Sequence, residues 1–288
     1  MKFVILLCLI VLHLFAQDFS FDKEQGKSIP NFVGEITLFR GEVIKVSKNG
    51  KEEKTQVGTR FFQNDMIKTK DKSFAKIKVV DDTVISLGPN SELNFSQFEF
   101  VDKTDRKAVY SFIKGQLRGH FKNKAEEGDL TIKTKSAAMG IRGTEILLNY
   151  QEKDFKQISD FVLLSGHAVV FDDKLSEHEI KESQRITTVH DSRSNKSAND
   201  RESLSSENLK YLQSVDSDEA KDFKPFLAFY DPQKAKKKSN IYKFYFGDSK
   251  TQNNDQPSSV HTERDEQDDT TWKNNLNKLN QKLKESNY

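Results

Sequence analysis

Five histidines outside the N-terminal apolar run, His120, His167, His178, His190 and His261, are the groups best suited to bind a metal or move a proton. No two of them stand four apart in a helical pattern, and the only cysteine is Cys8. A metal centre needs several such ligands converging on one point. We therefore expect surface histidines and no metal or other cofactor. Ser73-Phe74-Ala75-Lys76 and Ser111-Phe112-Ile113-Lys114 match the Ser-x-x-Lys pattern of penicillin-recognising enzymes, and Lys133-Thr134-Lys135 faintly echoes their Lys-Thr-Gly. That chemistry works on a helix, where i and i+3 share a face. Both copies lie in stretches read as strands, where i and i+3 point to opposite faces, so neither lysine would activate its serine. There is no Gly-x-Ser-x-Gly, phosphate loop or dinucleotide fingerprint. The adjacent acids Asp81-Asp82, Glu126-Glu127 and Asp172-Asp173 are expected to face solvent, and the run Lys234–Lys238 to be a solvated basic loop.

Arg142 stands apart. It lies in Gly140-Ile141-Arg142-Gly143-Thr144-Glu145, between two glycines that permit backbone angles closed to other residues. The spacing predicts a tight turn between the apolar runs around Ile132 and Ile146–Leu148. Two roles fit the arginine. It is either clamped against Glu145 or nearby carbonyls to fix the turn, or offered to a carboxylate or phosphate, which its fork suits. We read Gly140, Arg142, Gly143, Thr144 and Glu145, together with Asp82, as structural, and expect no catalytic residues.

The elements around these residues are strands. From Val33 to Val189 the apolar positions recur every second residue, as in Ile36/Leu38, Ala75/Ile77/Val79, Thr83/Ile85/Leu87, Leu93/Phe95 and Leu130/Ile132. Asn49-Gly50, Gly88-Pro89-Asn90 and Gly128-Asp129 separate the runs. Short punctuated strands predict an all-β sandwich, roll or solenoid. One hairpin can be placed in register. A loop of Val80-Asp81-Asp82 pairs Val79 with Thr83 and Ile77 with Ile85, which puts the apolar sets on one face. It requires Asp82 to be left-handed, a conformation that aspartate tolerates.

Composition sets the outer bounds. The chain has 288 residues, of which 35% are hydrophobic and 31% charged, too polar for one core using the whole length. A net charge of +2 gives no argument for a nucleic-acid partner. Lys2 and the apolar run Phe3–Phe15 read as a signal peptide cleaved after Ala16, since the run falls short of the ~20 residues that span a bilayer. The expected organisation is a signal peptide over 1–16, a β domain over 33–189 and a polar linker with a possible short helix over 190–222. An aromatic island over 223–247, a flexible linker over 248–270 and an amphipathic helix over 271–285, carrying Trp272, Leu276, Leu279 and Leu283, complete it.

Taken in order, several motifs resemble the FecR-type domain. These are Val57-Gly58, Asn64-Asp65-Met66-Ile67-Lys68-Thr69, Ser73-Phe74-Ala75-Lys76-Ile77, Asp81-Asp82-Thr83-Val84-Ile85-Ser86-Leu87 and Gly88-Pro89-Asn90-Ser91. Gly115-Gln116-Leu117-Arg118, the run Thr134–Glu145 and Leu164-Ser165-Gly166-His167-Ala168-Val169 continue the series, so the resemblance covers roughly Val33 to Val189. It implies an all-β extracytoplasmic domain without catalysis. In iron-transport regulators of Gram-negative bacteria that domain takes a signal from an outer-membrane receptor and controls a sigma factor. Two departures stand out. Asp82 replaces the glycine usual in the hairpin, and only Met1 and Lys2 precede the apolar run, so the resemblance does not extend to holding a sigma factor directly. The expected protein is a periplasmic or secreted, non-enzymatic binding or scaffold component of the cell envelope. It would contact a protein or an envelope polymer, with no nucleic acid and no membrane span after signal cleavage. A signalling component that partners a separate sigma-factor regulator or receptor is the second expectation, and a secreted hydrolase the third.

Overall fold

The computed structural model describes residues 19–22, 27–103, 105–124 and 129–204. These are all-β, with no helix among them. Strands β1 (Phe19–Asp22) and β2 (Lys27–Pro30) form a small antiparallel sheet of their own. There follow β3 (Gly34–Arg40), β4 (Val43–Val46), β5 (Glu52–Lys54), β6 (Arg60–Phe61), β7 (Met66–Thr69), β8 (Phe74–Val79), β9 (Val84–Leu87) and β10 (Glu92–Phe100). The second part of the chain is built on long strands: β11 (Arg106–His120), the short β12 (Leu130–Lys133), β13 (Ala137–Lys153) and β14 (Lys156–Asp172). Then come β15 (Glu177–Ile180), β16 (Gln184–Asp191) and β17 (Lys196–Ser203). From β3 onward the 15 strands make one open mixed sheet. Strands β11 and β12 pair in parallel.

The sheet winds around one apolar cluster that draws on strands from β3 to β16, including Ile36, Ile77, Ile85, Phe95, Tyr110, Leu130, Ile146, Phe161 and Ile186. Strand β11 joins its two parts. Its first half pairs with β10 and β12, and its second half, Gly115–His120, pairs with β9 and β13. The change of partners falls at Gly115, whose φ is +99° and where an added Cβ would lie 2.5 Å from the Ser91 backbone. Only glycine fits that crossing.

The β8–β9 hairpin has the expected register. Ile77 faces Ile85, the Val79 amide donates to the Thr83 carbonyl at 2.9 Å, and Asp82 is left-handed at φ 67°. Leu38 departs from its expected place beside Ile36 in the core. A bulge between them moves the pleat by one residue and leaves Leu38 exposed.

Residues 190–204, expected as the start of a linker, contain the end of β16 and all of β17. The eight residues of β17 pair in unbroken register with β16. This strand is polar because it is a sheet edge. Ala198 packs on Ile158 and Val189, and Leu204 on Val162 and Leu164. Backbone pairing and polar ties supply the rest. The apolar run Phe3–Phe15, the aromatic island and the Trp272 segment lie outside the described residues, as does the rest of the linker from residue 205.

Candidate functional site

The Arg142 segment is a bulge within a strand and not a turn between strands. It lies inside β13, which continues on both sides of it against β14. Arg142 faces His167 and Glu145 faces Ser165, so Gly143 and Thr144 together oppose the single residue Gly166. Two residues against one is the definition of a bulge. The backbones approach closely here: a Cβ on Gly166 (φ +94°) would lie 2.3 Å from the Gly143 carbonyl oxygen. Gly143 itself is left-handed at φ 63°. Gly140, by contrast, is an ordinary buried strand position, opposite Thr131 and Val169. Thr144 is buried, and its carbonyl accepts the Phe121 amide at 2.8 Å.

The expected clamp between Arg142 and Glu145 is absent. Glu145 instead accepts the Arg118 Nε–H at 2.8 Å, across the β11–β13 ladder. Arg142 is exposed and makes no hydrogen bond or ion pair with any described residue. Beside it stand exposed His167, its cross-strand neighbour, and exposed Lys124, whose Cγ would lie 3.0 Å from a Cβ on Gly143. The bulge thus turns an unpaired guanidinium outward next to a second cation.

Asp81 is not solvated as expected. It is fully buried and ion-paired with the equally buried Arg106. Its carboxylate also accepts the Thr83 amide at 2.9 Å and the Thr83 hydroxyl at 3.0 Å. Arg106 further donates to the carbonyls of Lys103 and, at 2.7 Å, Asn123, and the Asn123 amide donates to the Asp81 carbonyl at 2.6 Å. One guanidinium therefore ties the β8–β9 loop to both approaches to β11. The neighbouring Tyr110 hydroxyl is buried with no partner among the described residues. Burial above all raises its pKa well above the usual phenol value, with Asp81 adding to the effect and Arg106 opposing it. Hydropathy alone does not reveal this cluster, since its members are 25 residues apart and one of them sits in an acidic pair. Asp82, next in the chain, is partly exposed and pairs with Lys78 at 3.6 Å and with Lys103. These contacts, the Lys103 hydrogen bond first, lower its pKa against a smaller opposing effect of burial.

A third polar cluster holds the β17 edge. Asp172 contacts His178 Nε2 at 3.2 Å and accepts the Asn199 amide at 3.1 Å. Asp173 contacts His190 Nδ1 at 2.9 Å and accepts the Ser197 hydroxyl at 2.7 Å. Ser197, His190 and Asp173 are the residue types of a hydrolase triad, but the geometry is wrong. Ser197 Oγ lies 3.1 Å from the same Nδ1 that meets Asp173. A proton relay needs the acid on one ring nitrogen and the nucleophile on the other. The two Ser-x-x-Lys serines are likewise engaged in structure: Ser73 Oγ accepts the Glu42 amide at 2.9 Å, and Ser111 Oγ lies 2.5 Å from Ser96 Oγ. Among the described residues no group of three or more His, Cys, Asp or Glu side chains is placed to hold a metal ion.

A family model described as FecR protein matches residues 65–169, which carry the motif series from Asp65 onward. This part of the chain is similar to the FecR family. It runs from β7 through most of β14, and so contains the Asp81–Arg106 pair and the Arg142 bulge. The Asp172–His178 and Asp173–His190 contacts fall just beyond it. No curated protein matches the chain. Two crystal structures of a candidate anti-sigma factor from Parabacteroides distasonis ATCC 8503, at 1.65 and 2.50 Å resolution, resemble it with a TM-score of 0.38 and 10% identity over 52% of this chain. The chain spans 65% of the first of those proteins and 64% of the second. A cell surface anchoring domain shares 31% identity over 22% of this chain and 82% of its own length, at a TM-score of 0.21. Superpositions this loose fix neither architecture nor partner. Among the described residues no helix is long and apolar enough to cross a membrane.

Proposed function

We propose that this protein is an exported, non-enzymatic FecR-like module of the cell envelope that works by binding a partner. The observation that carries the reading is the FecR match over residues 65–169, in a segment whose outward Arg142 is held by the bulge and has no partner among the described residues. The clusters that have the composition of active sites are spent on holding strands together: Arg106 anchors a loop, and His178 and His190 anchor an edge. The signal-peptide reading of Phe3–Phe15 supports export. The same FecR match favours, as the second reading, a signalling component that acts with a separate regulator or receptor.

Crosslinking in the native envelope tests the proposal. A photoreactive residue at exposed Val57 or Phe155, introduced into the full chain, should give discrete adducts that a denatured control does not give. Identification of a sigma-factor regulator or receptor in those adducts selects the second reading. Adducts no more frequent than in the denatured control, from probes placed over the whole sheet surface, refute the binding role.

A further inference from the structure

We propose that the outward face of the Arg142 bulge is the docking surface for a partner protein, and that it receives an acidic segment of that partner. The inference rests on the binding role proposed above and names the chemistry of its partner. Three observations carry it. The first is the freedom of Arg142. The one carboxylate in its own motif, Glu145, is taken by Arg118 on β11, and nothing else among the described residues engages the guanidinium.

The second is the charge around it. Lys124 lies over Gly143, His167 sits opposite Arg142, and His120 sits opposite Glu145; all three are exposed. Among the described residues, the carboxylates placed nearest by strand pairing are Glu145, paired with Arg118, Glu182, which accepts the Gly166 amide at 2.8 Å, and exposed Glu179, opposite Val169. At the bulge itself the charged groups with no ion pair among the described residues are Arg142 and Lys124, and a guanidinium beside an ammonium matches carboxylates. The third is what adjoins the charge. Next to Glu145 and Ser165 the outward face becomes apolar, with Leu147 and Leu204 packed half-buried on Val162 and Leu164. A polyphosphate needs only cations, whereas a basic group beside an apolar one has the mixed character of a protein interface. The paired glycines bear on function too. They let the two backbones meet closely, so that the backbone carrying Arg142 needs no ordering on binding and only its side chain does.

Binding of a fluorescein-labelled oligoglutamate peptide to the full chain, read by anisotropy at low salt, tests this. Wild type should bind, Arg142→Ala should weaken binding by about tenfold, and Lys124→Ala should weaken it less. Arg201→Ala, which removes an exposed arginine on β17, should leave it unchanged. Equal affinities for Arg142→Ala and Arg201→Ala overturn the proposal, as does wild type that binds inorganic polyphosphate or phosphatidylglycerol vesicles but not the peptide. The envelope crosslinks separate the two levels. Adducts retained in the Arg142→Ala chain, with peptide binding unaffected, would move the docking surface elsewhere and leave the binding role standing. Loss of every adduct from wild type would remove both.

Discussion

Replacing Asp81 by Asn is the sharpest test of how the sheet is held together. The change is nearly isosteric, so packing around the β8–β9 loop is preserved, while the charge is removed and one acceptor oxygen becomes an NH2 facing a donor of Thr83 or Arg106. Asp81 and Arg106 each have 0% of the side chain exposed, so the guanidinium is left in the interior with carbonyl partners but no counter-charge. Breaking a buried pair from one side costs about 3–5 kcal/mol, much of it the desolvation of the stranded ion. At roughly 2–4 °C per kcal/mol for a domain of this size, Tm should fall by roughly 6–20 °C. The assay is thermal unfolding of the full chain at pH 7, followed by circular dichroism in the strand region and by tyrosine fluorescence. Arg106→Lys is the companion variant. It keeps the charge but not the planar fork that reaches Asp81, Lys103 and Asn123 together, and should lose a comparable amount. An Asp81→Asn melt within 2 °C of wild type, at roughly the 1 kcal/mol expected of an exposed pair, would refute the account of Arg106 as the anchor of the hairpin.

Other outcomes follow from the same contacts. Gly166→Ala should destabilise by roughly 2–5 kcal/mol in urea unfolding, combining left-handed strain with the clash against the Gly143 carbonyl. Gly50→Ala, at φ +83° with open space around it, should cost only about 1–2 kcal/mol. The Asp172 carboxyl is also a pH probe. Burial is the largest influence on it and raises its pKa, yet hydrogen bonds from the Ser176 amide, His178, Asn199 and the Lys174 amide together hold it below the usual aspartate value. A depressed carboxylate contributes stability above its unfolded pKa and loses it as pH falls through the folded one. Protection of the β16 and β17 amides, corrected for the intrinsic pH dependence of exchange, should therefore fall below about pH 4, and Asp172→Asn should flatten that limb. Phe155→Ala should cost at most about 1 kcal/mol, because the stack with Arg193 at 4.6 Å is exposed.

The β8–β9 hairpin was legible because burying Ile77 and Ile85 together admits one loop length, and that loop demands one left-handed residue. Asp81 misled because the local rule for adjacent acids says nothing about a cation 25 residues away. The Arg142 segment misled differently. A turn and a bulge both use a left-handed glycine, and only the pairing of Gly143 and Thr144 against Gly166 distinguishes them. The strand β17 was invisible to hydropathy because its stability comes from the β16 ladder, from Ser197 and Asn199 on the Asp173 and Asp172 carboxylates, and from the Arg185–Glu202 pair at 3.0 Å. The Arg142 motif was found by its residue types. Its exposure depended on Arg118 reaching Glu145 first, which is a fact of strand pairing.

Strand β11 belongs to both parts of the sheet. Two lobes joined by a loose connector can swing apart and carry a message as a change of angle. Here the connector is itself a paired strand, with β10 and β12 along its first half and β9 and β13 along its second, and because β13 also pairs with β12, opening the two parts would mean tearing β13 from β12 or from β11. Such a body is not built as a jaw. On the binding role proposed above, a partner would then respond to which surface is occupied and not to a change of angle.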